Sequence, residues 1–187
     1  MVEPEATFES ILRAAPAESL SQVSWVRRRE LVKLMESGGY LPEAHMPKAI
    51  QTNGKQREIY TLPADHAAVQ KGVAQCLSEA LDDLMSDSSH GFRPGRSIKT
   101  AVANLYSSIR ARGATFLARA DIEGFFNSVP RHEIMEILRS VELEVPTRRL
   151  TELILQCAEK VMPPSKGVPT GWPIIPVLAN MVLTPVD

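Results

Sequence analysis

Residues 120–130 read ADIEGFFNSVP. An acid, Asp121, ends an apolar run, and two large aromatics, Phe125 and Phe126, stand just behind a glycine. An acid at the end of a buried strand is costly unless something compensates its charge. Two readings answer for Asp121. Its carboxylate can cap the following turn, accepting from the backbone N–H of Glu123 or Gly124. It can also ligate a hard divalent cation such as Mg²⁺, which takes carboxylate oxygens and binds beside substrate phosphates. Gly124 lets the backbone turn closely, so Phe125 and Phe126 are expected to point to different sides. One then enters the core. The other forms an apolar floor beside whatever the metal holds, where a rigid ring next to a ribose would refuse a 2′-hydroxyl. The plainer reading of the pair is two core anchors.

The elements around this stretch must position it. ATFLARADI at 114–122 reads as the best strand in the chain, and Pro130 starts a helix with Ile134, Ile137 and Leu138 inward. Upstream, 46–62 reads as a hairpin turning at Asn53-Gly54-Lys55, because Asn-Gly is the strongest short hairpin signal. Helices are expected over 5–14 and 17–36, the second with Leu20, Val23, Val26 or Trp25, Leu31 and Leu34 at helical spacing. A long helix is expected from Pro63 to Leu84. Asp65 would be its N-cap, and Val69, Val73, Leu77, Leu81 and Leu84 its buried stripe. SDSSHGFRPGRS at 86–97 is a loop, with Ser97 capping a helix to about Arg110. A further helix fills 147–161, 163–171 is a loop, and 173–183 is an apolar helix with Pro173 near its first turn. The order is mixed α and β with no linker, which predicts one α+β domain.

The whole-chain figures exclude little. The 187 residues are 44% hydrophobic and 23% charged, with a formal net charge of -1. Basic residues cluster at Arg27–Arg29 with Lys33, at Lys48, Lys55 and Arg57, and at Arg93, Arg96 and Lys99; acids gather at Glu79, Asp82, Asp83 and Asp87. Such segregation gives a basic face to a neutral protein, or simply solvated helix faces. Cys76 and Cys157 lack metal-ligand spacing and are expected to be reduced core residues of a cytoplasmic protein. The N-terminus shows no signal-peptide pattern, and no apolar run approaches membrane-spanning length.

Three blocks in order, SHGFRPGRS, ADIEGFFNSVP and GVPTGWPIIPVLANMVLTPVD, resemble reverse transcriptases of the bacterial group II intron-like branch, and NGKQREIYTLPADHAAVQKGVAQCLSEAL looks like that family's fingers region. The resemblance covers residues 46–187, with 1–45 as an N-terminal helical extension. It implies an α+β right-hand polymerase fragment: fingers hairpin and helices packed on a partial antiparallel palm sheet, with the palm incomplete and the thumb absent. It also implies the roles of individual residues. Asp121 matches the first catalytic aspartate and would bind Mg²⁺ (Mn²⁺ as an alternative), with the Ile122 carbonyl touching the ion that carries the triphosphate. Lys55 and Arg57 match the fingers cations over the triphosphate. The backbone from Glu123 through Gly124 and Phe125 to Phe126 would cradle phosphate oxygens, and Phe126 matches the ring that excludes the ribonucleotide 2′-hydroxyl. Thr170 and Gly171 match the block beneath the nucleotide and template base. Arg93 and Arg96 match a block near the template path, where they bind backbone phosphate or brace the loop. The implied partners are an RNA template, a DNA or RNA primer and deoxynucleoside triphosphates, in a bacterial cytoplasm.

Departures from the pattern also carry expectations. Thr170 and Ile175 stand where intron-encoded relatives usually have glutamine and serine, and His66 where they often have arginine. A threonine hydroxyl reaches less far than a glutamine amide. These changes lean towards divergent bacterial reverse transcriptases, including those linked to phage defence. The second catalytic block, an aromatic followed by a spaced pair of aspartates, does not occur in these 187 residues. Asp82-Asp83 lies on a helix of the fingers half and is no substitute, and Asp187 matches an acid that closes a helix. Two metal ions cannot be held well by one carboxylate. The expectation is that this chain alone does not catalyse. It would be a split half, a fragment of a longer enzyme, or a non-catalytic RNA- or protein-binding remnant. Open apolar surface would be covered by a second polypeptide or by self-association.

Overall fold

The computed structural model describes residues 7–52, 54–163 and 167–186. Helices dominate it: α1 (Phe8–Arg13), α2 (Ala17–Ser21), α3 (Trp25–Ser37), α4 (Ala64–Leu81), α5 (Ile98–Arg112), α6 (Phe125–Ser128), α7 (Arg131–Ser140), α8 (Val145–Val161) and α9 (Ile175–Leu183). The sheet found among the described residues is the antiparallel hairpin of β1 (Lys48–Thr52) and β2 (Lys55–Ile59), with Lys48 opposite Ile59 and Thr52 opposite Lys55. The hairpin expected over 46–62 forms, with Gly54 between its strands. Gly54 has φ 74°, a left-handed conformation that suits glycine, while Asn53 lies outside the described residues.

The core is built around α4. Val69, Val73, Leu77 and Leu81 repeat at helical spacing and are fully buried, against Ile11 and Leu12 of α1, Leu150 and Ile154 of α8, and Ile175 and Leu178 of α9. Gly72 permits this closeness. A Cβ there would strike the Ile11 carbonyl oxygen and sit 3.0 Å from its carbon. At the end of the stripe the expectation fails. The α-helix stops at Leu81, Asp82–Leu84 form a 3-10 turn, and Leu84 is turned outward. In α3 only Leu31 and Met35 are buried, whereas Trp25, Val26 and Leu34 are exposed. Asp65 is not the N-cap of α4 either. Pro63 holds that position, and Asp65 sits in the first turn, accepting from its neighbour His66 N–H at 2.9 Å and from Arg27 Nε of α3 at 2.8 Å.

The largest correction concerns the palm. Residues 114–122 form no strand, and every one of them is exposed, with Phe116 at 95%. The partial antiparallel palm sheet is therefore absent among the described residues. A strand is stabilised by backbone partners on its flanks, and no described segment pairs with this one. The same opening runs along α5. Its ends are well specified, with a Ser97–Thr100 capping box and Gly113 in the left-handed C-cap at φ 61°. Yet α5 has no buried residue, and Ile98, Val102, Leu105 and Tyr106 lie exposed.

Candidate nucleotide-binding site

After residues 114–122 the backbone turns at Glu123 and Gly124. Gly124 has φ 62° and leads into the single turn of α6. Phe125 and Phe126 do not point to different sides as expected. The helical turn brings their ring centroids to 5.2 Å with a 41° tilt, and both are half-buried against the core. Asp121, Ile122, Glu123 and Gly124 remain exposed. Neither the Glu123 nor the Gly124 N–H donates to Asp121, so the capped-turn reading has no support from the geometry; across the turn, Ser128 Oγ donates to the Gly124 carbonyl at 3.3 Å.

The turn is fastened to two distant segments. Gly167 N–H donates to the Asn127 carbonyl and Val168 N–H to the Phe126 carbonyl, both at 2.7 Å. Arg131, at the start of α7, donates from Nε to the Gly167 carbonyl at 2.5 Å and from Nη2 to the Pro163 carbonyl at 3.3 Å. Three residues further on, the Thr170 carbonyl accepts from Tyr60 N–H at 2.9 Å, just past β2. Gly171, with φ 104°, lies so close to the hairpin that a Cβ would stand 2.9 Å from Ile59 Cγ2 and 3.1 Å from the Tyr60 carbonyl oxygen. The 167–172 loop thus couples the Asp121–Phe126 turn to β2, which carries Lys55 opposite Thr52 and an exposed Arg57 opposite Ile50. Gly167, Tyr60 and Arg131 hold this joint. Sequence reasoning missed them because their role lies in backbone approach and carbonyl bracing, which leave no motif.

The other expected residues lie apart from the joint. Arg93 is buried and spent on its own loop. Nε donates to Asp82 Oδ1 at 2.8 Å, Nη2 to the Asp82 carbonyl at 2.9 Å, and Nη1 to the carbonyls of Ser86 and Ser89. Of its two expected roles, the geometry here is that of a brace. The hydrogen bond from Arg93 holds the Asp82 carboxyl below the ordinary carboxylate range. Arg96 is tied to Asp87, through the carbonyl at 2.7 Å and Oδ1 at 3.0 Å. His66 is buried, with Nδ1 3.1 Å from the Tyr40 hydroxyl and 3.3 Å from Glu43 N–H. Burial lowers its pKa, against the opposing pull of Asp65 and Glu43. For Asp65 burial acts upward, but the Arg27 hydrogen bond and nearby His66 outweigh it, so the carboxyl ends below its ordinary value.

The Asp121 carboxylate and the Ile122 carbonyl are hard oxygen donors, the chemistry Mg²⁺ takes. Among the described residues no group of three acidic, histidine or cysteine side chains gathers as a metal site. The donors present fit a share of such a site and need further carboxylates to complete it. Also among the described residues, no helix is long and apolar enough to cross a membrane.

The profile of the family described as "Reverse transcriptase (RNA-dependent DNA polymerase)" matches residues 46–187. The chain is 28% identical over 143 residues to an uncharacterized 91 kDa protein in the cob intron of Schizosaccharomyces pombe, covering 73% of this chain and 17% of that protein. It is 23% identical over 168 residues to the group II intron-encoded protein LtrA of Lactococcus lactis, covering 85% and 27%. Against protein YkfC of Escherichia coli it is 24% identical over 165 residues, covering 81% and 42%. The chain thus spans less than half the length of each of these relatives. A chain of a Cas6-RT-Cas1–Cas2 complex shares the fold at a TM-score of 0.51 and 23% identity, covering 91% of this chain and 29% of that one.

Proposed function

The chain belongs to the reverse transcriptase family, and from that premise we propose that residues 46–187 form the fingers and first part of the palm of an RNA-directed DNA polymerase, with 1–45 as a helical extension. The observation that supports this best is the backbone joint. The 167–172 loop bonds at one end to Phe126 and Asn127 and at the other to Tyr60, so the turn bearing Asp121 and the hairpin bearing Lys55 and Arg57 are held as one unit. In this reading Lys55 and Arg57 neutralise the triphosphate, Arg57 offering a bidentate fork. The backbone from Glu123 to Phe126 lines the phosphates, and Phe126 stands at the sugar. Thr170 and Gly171 form the floor beneath the base pair, while Arg93 and Arg96 shape the loop by the template. Asp121 and the Ile122 carbonyl would hold Mg²⁺ or Mn²⁺, which when bound supplies charge neutralisation for in-line phosphoryl transfer.

Completion is part of the proposal. One carboxylate is too few for two metal ions, and the exposed apolar residues of 114–122 and α5 call for strands laid over them. A further palm and thumb segment, in a longer form of this chain or on a second polypeptide, meets both needs. The template is RNA, the primer DNA or RNA, and the substrates deoxynucleoside triphosphates. Thr170 and Ile175 fit a phage-defence enzyme better than an intron-mobility enzyme. The test is primer extension on an RNA template after the completing segment is supplied. Extension should appear with the wild-type chain and vanish with Asp121→Asn. Extension that survives Asp121→Asn refutes the mechanism. RNA binding indifferent to Asp121→Asn, with no completing segment restoring extension, would favour the non-catalytic binding module instead.

A further inference from the structure

Phe92 has the one positive φ among the described non-glycine residues, 55°, and its ring is 68% exposed. A bulky side chain in the left-handed region is strained, and such strain persists only where the surroundings over-determine it. Here both neighbours are pinned. The Gly91 carbonyl accepts from Asn180 Nδ2 of α9 at 2.5 Å, and Arg93 is clamped by its bonds to Asp82, Ser86 and Ser89. The fixed chain on either side holds the ring out over a groove of about 300 Å³, whose other walls include Ala74, Pro173, Pro176 and Val177. No acidic side chain lines this groove, and Lys71 does. Lys71 spends one N–H on Ser19 Oγ at 2.6 Å, which leaves two donors for another acceptor. The groove begins at Pro173, two residues beyond Gly171 in the loop that joins the turn to the hairpin.

A rigid exposed ring, an apolar slot and a cation without an acid beside it match one unit of single-stranded nucleic acid: a base to stack and a phosphate to pair. We propose that Phe92 is a stacking platform for an unpaired base of single-stranded nucleic acid, with Lys71 on the adjoining phosphate. The proposal rests on the polymerase reading for the identity of the strand, and not on catalysis.

The test is equilibrium binding of the full chain to a fluorescein-labelled oligouridylate of about 12 nucleotides, at fixed salt because phosphate contacts are salt-sensitive. An abasic strand of equal length serves as the second probe. Phe92→Gly removes the ring and relieves the strained φ, so its thermal unfolding should be no lower than wild type while its affinity falls about five- to a hundredfold. Phe92→Trp should keep wild-type affinity, since stacking needs only an aromatic face. The abasic strand should bind wild type and Phe92→Gly alike. Lys71→Gln should weaken both strands equally. Equal oligouridylate affinity for wild type and Phe92→Gly would overturn the proposal, as would a Phe92→Gly loss that the abasic strand shares. Primer extension needs the completing segment and the stacking assay does not, so a failed primer-extension assay and a failed stacking assay point to different errors.

Discussion

Gly167 offers the sharpest probe of the joint between the aromatic turn and the hairpin. A Cβ built on it would collide with the Phe126 carbonyl oxygen and lie 2.7 Å from the Asn127 carbonyl carbon and 2.9 Å from its oxygen. All three are backbone atoms and cannot swing aside as the tip of a side chain would. Gly167→Ala must therefore push the 167–172 loop off α6. The two backbone hydrogen bonds at 2.7 Å stretch or break, each contributing about 0.5–1.5 kcal/mol net. Forcing a methyl into a packed contact adds about 1–3 kcal/mol. A loss of about 2–6 kcal/mol is expected, read as a lower urea midpoint at unchanged m-value. Gly91→Ala is the matched control. Its Cβ would meet nothing within 4 Å and its φ is not positive, so it should be neutral or stabilising by up to about 1 kcal/mol. Stability of Gly167→Ala within about 0.5 kcal/mol of wild type, which is ordinary surface scatter, would show that the loop does not carry the turn. In the completed polymerase the same variant should raise KM for deoxynucleotides more than Gly91→Ala does, because the turn and the cationic hairpin lose their shared reference.

Other expectations follow from the same contacts. Arg93→Ala strands the Asp82 carboxylate and three loop carbonyls and should cost about 2–4 kcal/mol; Arg93→Lys should recover less than half, since one ammonium cannot serve a fork of partners, and full recovery in urea melts would contradict the clamp. Burial depresses the His66 pKa below its ordinary 6.5, so the unfolded chain takes up this proton first as pH falls. Stability should be fully present above about pH 6.5 and decline through the window below it, and His66→Gln should flatten that slope in thermal melts across pH. In the completed enzyme Phe126→Ala should admit ribonucleotides; unchanged discrimination between ribo- and deoxynucleotides would remove Phe126 from the sugar site.

Local signals carried much of the architecture because they depend on near neighbours. The α4 stripe, the Asn-Gly hairpin and the Ser97 cap each need only residues within a turn or two, and each stands where spacing placed it, except for the outward Leu84. The misreadings share another cause. ATFLARADI has the composition of a central strand, but a strand is realised by backbone partners that composition cannot supply, and none lies beside it here. The ordered blocks likewise identified the family while leaving the connections silent. Arg93 looked as fit for a phosphate as for a brace, and only the fold showed its guanidinium turned onto Asp82 and its own loop. That commitment bears on function. If the motif's buried arginine is structural, then recognition in this loop falls to what the brace presents. What it presents is Phe92, with its left-handed backbone and largely exposed ring. The same logic separates Asp121 from the rest of its turn: the turn is anchored by Phe126 and Asn127, so replacing the exposed Asp121 carboxylate should leave stability nearly untouched. A large loss of stability in Asp121→Asn would therefore speak for a structural acid, whereas a stable variant that abolishes extension would assign it to the chemistry.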